Sequence, residues 1–386
     1  MRFIVLFTCF IFMFSSFGFS QTDWNYAGNG ARAVAMGNAF TGLADDATAI
    51  SWNSAGLTQL YAMEASVIGR FRTGNAVLVN YENELTTSEK ADFYLNFASF
   101  VFPFSLAGFK VVGGLAYRTL YDFNNSETWK WADGTEWTFD TKGGIRAISP
   151  SLAIQSTDMI SVGTVFNIYT GSHDYSSQTD QSNSQETTDY SGTGMDIGLL
   201  LSLSEKISLG ANVSLPSDIK WKQGTIDGKW NAPMFYNLGV VFRLSDQFLL
   251  TADYHGRPWS NSTDADEEMQ YWEWFYGQNL SSSILDINSI HLGLEYLLSI
   301  GELIVPLRAG FYTNPLYAKI DANGNQAKSN VLTVGSGIIL GNIILDGAFE
   351  FESRKYAAFD SNDQYFTDWN KNYFRFTLGG TIHFGQ

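Results

Sequence analysis

The sequence predicts an all-β chain, a transmembrane antiparallel β-barrel of about fourteen strands with an N-terminal lumenal hatch. Three observations predict it. From about residue 63 onward the chain is a series of segments in which apolar and polar residues alternate. The connections between these segments are by turns short and long. The polar parity of the segments carries ionisable residues that a dry protein core would not accept unpaired.

Composition agrees. The chain has 386 residues, 45% hydrophobic and 16% aromatic, with 36 Gly and 7 Pro. Its mean hydropathy is −0.08. A membrane barrel conceals its hydrophobicity in this way, because only every second strand residue faces lipid. The formal net charge of −16 argues against a nucleic-acid partner. Acidic outer loops suit divalent cations around lipopolysaccharide, against the plainer reading that the charge serves solubility; the expected surroundings are the lipid and lipopolysaccharide of a bacterial outer membrane.

Residues 1–20, MRFIVLFTCFIFMFSSFGFS, read as a signal peptide. One Arg precedes an apolar run, and Gly18 and Ser20 give the small-x-small pattern for cleavage before Gln21. An N-terminal membrane anchor is the weaker reading, because the run is short. Cys9, the one cysteine, lies in this leader. Cleavage therefore leaves no disulfide and no Cys-based metal or nucleophile chemistry. No later apolar run reaches the roughly eighteen residues of a transmembrane helix.

Residues 21–60 are assigned to the hatch and 61–386 to the barrel. Within the hatch, 28–60 is rich in Gly and Ala, does not alternate, carries Asp45-Asp46, and ends in Asn53-Ser54-Ala55-Gly56. A long first strand spans 64–82. Further strands are expected near 93–102, 108–121, 145–154, 159–170, 195–203, 207–215, 303–313 and 330–340. In Tyr236–Arg243, Tyr236, Leu238, Val240 and Phe242 oppose Asn237, Gly239 and Arg243. In Phe248–His255, Phe248, Leu250, Ala252 and Tyr254 oppose Thr251, Asp253 and His255. In Ile290–Leu298, Ile290, Leu292, Leu294 and Tyr296 oppose His291, Gly293 and Glu295. In Ile343–Glu352, Ile343, Leu345, Phe349 and Phe351 oppose Asp346, Glu350 and Glu352. The last strand, Tyr373–Phe384, sets Phe374, Phe376, Leu378, Ile382 and Phe384 against Arg375, Thr377 and His383. Short turns are expected at 155–158, 204–206, 244–247, 300–302 and 340–342, and long polar loops at 122–144, 171–190, 216–232, 256–287, 314–329 and 354–371.

Within residues 30–60 the chain carries Arg32-Ala33, Met36-Gly37, Ala39-Phe40, Asp45-Asp46-Ala47 and Asn53-Ser54-Ala55-Gly56-Leu57. This pattern resembles the N-terminal hatch of the long-chain fatty acid transporter (FadL/TodX-type) family of bacterial outer-membrane proteins. The specific match covers about a tenth of the chain, and the fourteen-stranded barrel of that family agrees with the strand count. That family usually has Asn-Pro-Ala where this chain has Asn53-Ser54-Ala55. With Asn53 as N-cap, residue 54 is the first position of a short helix, where Pro is favoured and Ser is tolerated.

The resemblance implies passive, hatch-gated uptake of hydrophobic compounds such as long-chain fatty acids or aromatic hydrocarbons. Ligand would be captured at outer loops and leave by hatch movement and a lateral opening at a kinked strand. Gly113-Gly114 is a candidate kink, against the plainer reading of ordinary barrel curvature. A second reading is a barrel of the same type that binds a partner in protein secretion or surface assembly. A general diffusion porin is weaker, because a plug of this length would obstruct flow.

Tyr271, Trp272, Trp274, Phe275 and Tyr276 in the 256–287 loop form a candidate capture groove or an interfacial girdle. Trp129, Trp131, Trp137 and Phe139 carry the same two readings. Arg243 and Arg308 are candidate lumen partners for a ligand carboxylate, against the plainer reading that Glu295 and Asp253 balance them. Asp264, Asp266, Glu267 and Glu268, and likewise Asp321, Asn323 and Asn325, read as solvated loops rather than cation sites. His173, His255, His291 and His383 lie far apart in sequence and show no zinc spacing. No nucleophile elbow, phosphate loop or paired-carboxylate motif is present. No cofactor, metal or enzymatic activity is therefore expected. The expected partner is a hydrophobic small molecule, and the expected state a monomer.

Overall fold

The computed structural model describes residues 28–79, 84–89, 92–130, 136–178, 183–262, 285–301, 303–321, 323–359 and 365–385. The strands among them are β1 (Met63–Val79), β2 (Glu84–Glu89), β3 (Asp92–Leu106), β4 (Phe109–Asp122), β5 (Asn125–Lys130) and β6 (Glu136–Gln155). They continue with β7 (Ile160–Gln178), β8 (Asn183–Ser204), β9 (Ile207–Ser214), β10 (Ser217–Gln223), β11 (Ile226–Ala232) and β12 (Phe235–Arg243). The last are β13 (Phe248–Arg257), β14 (Ile287–Ile300), β15 (Leu303–Ile320), β16 (Gln326–Leu340), β17 (Ile343–Phe359) and β18 (Tyr365–Phe384). Before them lie two short helices, α1 (Ala31–Ala35) and α2 (Ala49–Trp52), and a 3-10 turn, Ser54–Gln59.

Fourteen strands close into an antiparallel barrel. Neighbouring wall strands follow chain order, β4 pairing β6 and β9 pairing β12 across the extra strands. The ring closes where Met63 of β1 faces Phe384 of β18. Strands β2, β5, β10 and β11 lie outside the closed ring: β2 and β5 pair with each other, and β10–β11 is a hairpin on the far end of β8.

The parity read from the sequence is inverted relative to a soluble sheet. On β14, Ile290 is 53% and Leu292 47% exposed, whereas His291 and Glu295 are each 3% exposed. A soluble antiparallel sheet buries its apolar face and wets the other. Here the apolar face points out and the charged face points into the barrel. An apolar exterior around a closed ring is the surface that a hydrocarbon phase requires.

The wall strands reach further than the alternation indicated. Stretches 171–190, 314–329 and 354–371, expected as long loops, are mostly strand: β7 and β8 stay paired from Ile160↔Leu201 to Gln178↔Asn183. Stretch 216–232 is the β10–β11 hairpin, and 122–144 holds β5 and the start of β6. The reason is solvation. Beyond the membrane both faces of a strand are wet, so Ser, Thr, Asp and Gln occupy both parities and no alternation remains to read.

At the candidate kink, Gly113-Gly114, the pairing is continuous, in keeping with the plainer reading of ordinary curvature. Both residues pair in register with β3 and with β6, and the irregularity of β4 falls between Thr119 and Tyr121. Outside the barrel the Phe102 ring covers Gly113, filling the space where a side chain would stand.

Leu292→Arg puts a charge into lipid and should destabilise the barrel by about 2–4 kcal/mol near the bilayer midplane. Urea unfolding in lipid vesicles measures this. An Arg at position 292 that costs nothing would place that face in water.

Candidate functional site

Residues 28–60 lie against the inward faces of the wall strands. Phe40, Leu43, Ile50, Trp52 and Leu57 are buried, in one apolar cluster with the inward residues Phe97, Val101, Val112, Ala116, Val165 and Val241. The approach is backbone to backbone. A Cβ on Gly310 of β15 would overlap Gly37 N, and one on Gly210 of β9 would overlap Thr41 O. Glycine on the polar parity thus makes room for a chain inside the barrel.

Polar anchors fix the segment. Arg32 forks onto Glu295 of β14 (Nε–Oε2 2.9 Å, Nη2–Oε1 2.8 Å) and reaches Asp45 through Nη1 at 2.7 Å. Arg308 of β15 also binds Glu295 and, at 2.6 Å, Asp346 of β17. Asp253 Oδ2 accepts the Phe40 and Thr41 amides at 2.9 and 2.8 Å. Ala47 N donates to Glu64 Oε1 at 2.7 Å.

The sequence motif residues each have a place in this packing. Asn53 caps the 3-10 turn, its Oδ1 accepting from Ala55 N at 3.2 Å. Its Nδ2 donates to Thr41 O within the segment and to Leu199 O of β8, both at 2.9 Å. One amide therefore ties the segment to itself and to the wall. Ser54 is buried and its Oγ has no hydrogen-bond partner. Asn53 is extended at φ −161° and ψ 98°, as the residue before a proline must be. The local backbone thus suits Pro at position 54, and Ser replaces it without a compensating bond. Ala55 is fully buried. A Cβ on Gly56 would overlap Ala44 O, so no other residue fits there. Asp46 Oδ1 accepts from Thr48 N at 2.8 Å and Thr48 Oγ1 at 2.5 Å. Burial pushes its carboxyl up to about 6, against the pull of Arg32.

The two lumen arginines differ. Arg308 is held by Glu295 and Asp346. Arg243 donates to Ser208 Oγ at 3.0 Å, close to the short turn that follows β12. Neither lines the cavity described below. Residues 271–276 lie outside the described residues, as do 264–268 and Trp131, and the side chains of Trp129, Trp137 and Phe139 are likewise outside them. Asp321 forms a turn with the Asn323 and Asn325 amides.

The histidines need a correction. His255 and His291, distant in sequence, have ring centroids 4.0 Å apart, and Tyr312 stacks on His291 at 4.9 Å. Adjacent strands with matched parity bring them together. His291 Nδ1 lies 2.8 Å from Gly37 O, so this stack also touches the segment. Among the described residues no group of His, Cys, Asp and Glu has metal-binding geometry.

On the long-loop side of the segment is a small cavity of about 80 Å³, open to solvent. Ser51 of α2 contributes to its floor, and Arg118, Asn167, Asp196, Asn212, Asn237 and Arg257 give it polar walls. Leu120, Tyr121, Tyr169, Ile219, Phe235 and Tyr236 supply apolar and aromatic surface. Arg118 Nη1 bridges Asp196 Oδ2 and Ile50 O of the segment, both at 3.2 Å. Two of the lining rings belong to a wider aromatic cluster: Tyr121 packs on Trp230 (6.2 Å between centroids), Trp230 on Trp259 (6.1 Å) and Phe235 on Trp259 (5.1 Å). Sequence reading missed this site. Its charged residues, Arg118, Asp196 and Arg257, come from β4, β8 and β13, and only register shows that they meet.

Two outcomes are expected. Gly310→Val should expel the Met36–Gly37 backbone from the wall and leave the exterior untouched, giving a folded barrel with higher conductance in planar bilayers. For Asp46, the docked segment holds a proton that a solvated Asp releases near about 3.9. Its contribution to docking is therefore full below about pH 4 and is lost as pH rises through about 6. Asp46→Asn keeps the oxygen that Thr48 uses. It should increase protease protection of residues 28–60 above pH 6 and leave it unchanged at pH 4, measured by limited proteolysis across that range.

No family model and no curated protein matches this sequence. Solved structures do. A Pseudomonas aeruginosa FadL homologue aligns over 96% of this chain and 100% of its own, with TM-score 0.61 and 12% identity. The P. putida toluene transporter TodX aligns over 93% and 99%, with TM-score 0.64 and 13% identity. The Ralstonia pickettii toluene transporter TbuX aligns over 94% and 100%, with TM-score 0.58 and 13% identity. The resemblance read from residues 30–60 thus extends to the architecture of nearly the whole chain, which has the fold of the FadL- and TodX-type barrels.

Proposed function

We propose that this chain is a bacterial outer-membrane channel for passive uptake of hydrophobic compounds, gated by residues 28–60. The observation that carries the reading is a segment docked inside the barrel with a cavity bounded by it, part of whose lining is aromatic. Solute crossing the barrel has to pass the segment, so the segment has to move. The fold shared with two toluene transporters supports hydrophobic cargo. Fatty acids and aromatic hydrocarbons are the two cargo classes proposed. The aromatic run Tyr271–Tyr276 is proposed as the outer capture element, outer-membrane lipid and lipopolysaccharide as the surroundings, and a monomer as the working unit.

Labelled toluene and labelled fatty acid, supplied to cells with and without the gene, test the reading. Cells with the gene should take up at least one of them several-fold faster. Deleting residues 28–60 should leave a folded barrel with raised conductance. Uptake independent of the gene, together with a secreted protein co-purifying in stoichiometric amount, would point instead to a barrel serving secretion or surface assembly.

A further inference from the structure

Among the described residues, six arginines are buried in the barrel: Arg72, Arg118, Arg257, Arg308, Arg354 and Arg375. Five of them have a carboxylate partner. Arg72 meets Asp122 and Arg118 meets Asp196, both at 3.2 Å, Arg308 meets Glu295 and Asp346, and Arg354 and Arg375 share Glu352. Arg257 has none. Its Nη1 donates to three neutral oxygens, Asn237 Oδ1 at 2.8 Å, Gly256 O at 3.0 Å and Tyr236 O at 3.3 Å. Its Nε and Nη2 donate to no acceptor among the described residues.

Arg257 lines the cavity, where the charged side chains are Arg118, Asp196 and Arg257. Asp196 is already committed, since its Oδ2 accepts from Arg118 at 3.2 Å and from Asn167 Nδ2 at 3.0 Å. The cavity thus carries one positive charge in excess, in a chain of formal net charge −16. A guanidinium removed from water costs free energy until an anion meets it. Its planar fork of N–H donors matches a carboxylate. The Phe235 ring centroid lies 5.1 Å from the guanidinium carbon, a cation–π contact that leaves the fork of donors free. Tyr121, Phe235 and Tyr236 present flat apolar surface beside it, suited to a ring. Ser51 of the segment lines the same space.

We propose that this cavity binds aromatic monocarboxylates, with Arg257 holding the carboxylate and the tyrosine and phenylalanine rings holding the aromatic body. This adds a third cargo class to the two proposed above and rests on the channel reading for its biological use, although binding itself is measured without transport.

The test is calorimetric titration of the full-length protein, purified in detergent micelles, with benzoate and with its neutral counterpart benzyl alcohol. Benzoate should bind the unaltered protein about tenfold more tightly or better, the worth of one charge-assisted bidentate contact. Arg257→Gln should erase that preference and leave benzyl alcohol binding as it was. Arg257→Lys, which keeps the charge but loses the fork, should retain a reduced preference. Shifted mobility of unheated barrel on gels verifies that each variant is folded, and Arg257→Lys carries the test alone if Arg257→Gln does not fold. Equal affinities in the unaltered protein, or a full preference in Arg257→Gln, would overturn the proposal. So would suppression of the preference by chloride at concentrations similar to the benzoate used, which would make Arg257 an inorganic-anion site. A benzoate preference that depends on Arg257 supports the site even where hydrophobic uptake fails, and in that case only the channel reading falls.

Discussion

Closure of β18 onto β1 is the constraint on which everything else depends. The two strands pair from Met63 opposite Phe384 to Val77 opposite Asn370. In hydrocarbon an unpaired backbone amide or carbonyl costs several kcal/mol, and a sheet edge is a row of them. A closed ring has no edge. Once it closes, each wall strand has one face in lipid and one in the lumen, so the outward parity has to be apolar and the inward parity is free to be polar. The extra strands β2, β5, β10 and β11 can depart from the ring because they project beyond the apolar belt, where water satisfies their edges.

The inward face then raises a second problem, that of charge out of bulk water. On the side formed by β1 and β14–β18, the barrel solves it with a ladder of shared carboxylates. Glu295 serves Arg32 and Arg308. Glu350 serves Arg70 and the Tyr312 hydroxyl. Glu352 serves Arg354, Arg375, Ser329 and Asn314. Each acid meets more than one donor, so few lone pairs are left without a partner. The side formed by β4, β7–β9, β12 and β13 holds the cavity instead, and it is there that a buried arginine lacks its acid.

The N-terminal segment belongs to both sides. Its Arg32 enters the carboxylate ladder, while Ile50 O and Ser51 meet the cavity. Its backbone rests on wall glycines, and its Phe40 and Thr41 amides rest on Asp253. A change at the cavity can therefore reach the segment through Arg118, which holds Asp196 and Ile50 O with the same nitrogen. The segment is held by these polar contacts and by the apolar cluster around Phe40, Trp52 and Leu57, while the wall keeps its own ladder of backbone hydrogen bonds.

The sequence by itself determined the barrel, its parity, its short-turn side and the identity of the non-alternating segment. These are properties of single strands, and a period of two records which face meets lipid. It also marked Asn53 as a cap, because capping is local. It overstated the outer loops, since strands wet on both faces do not alternate. The meeting of Arg32 with Glu295, of His255 with His291, and of Arg118, Asp196 and Arg257 around one cavity was decided only by tertiary structure. Those contacts depend on register between strands and on how the segment folds across the lumen, and neither leaves a period in the chain.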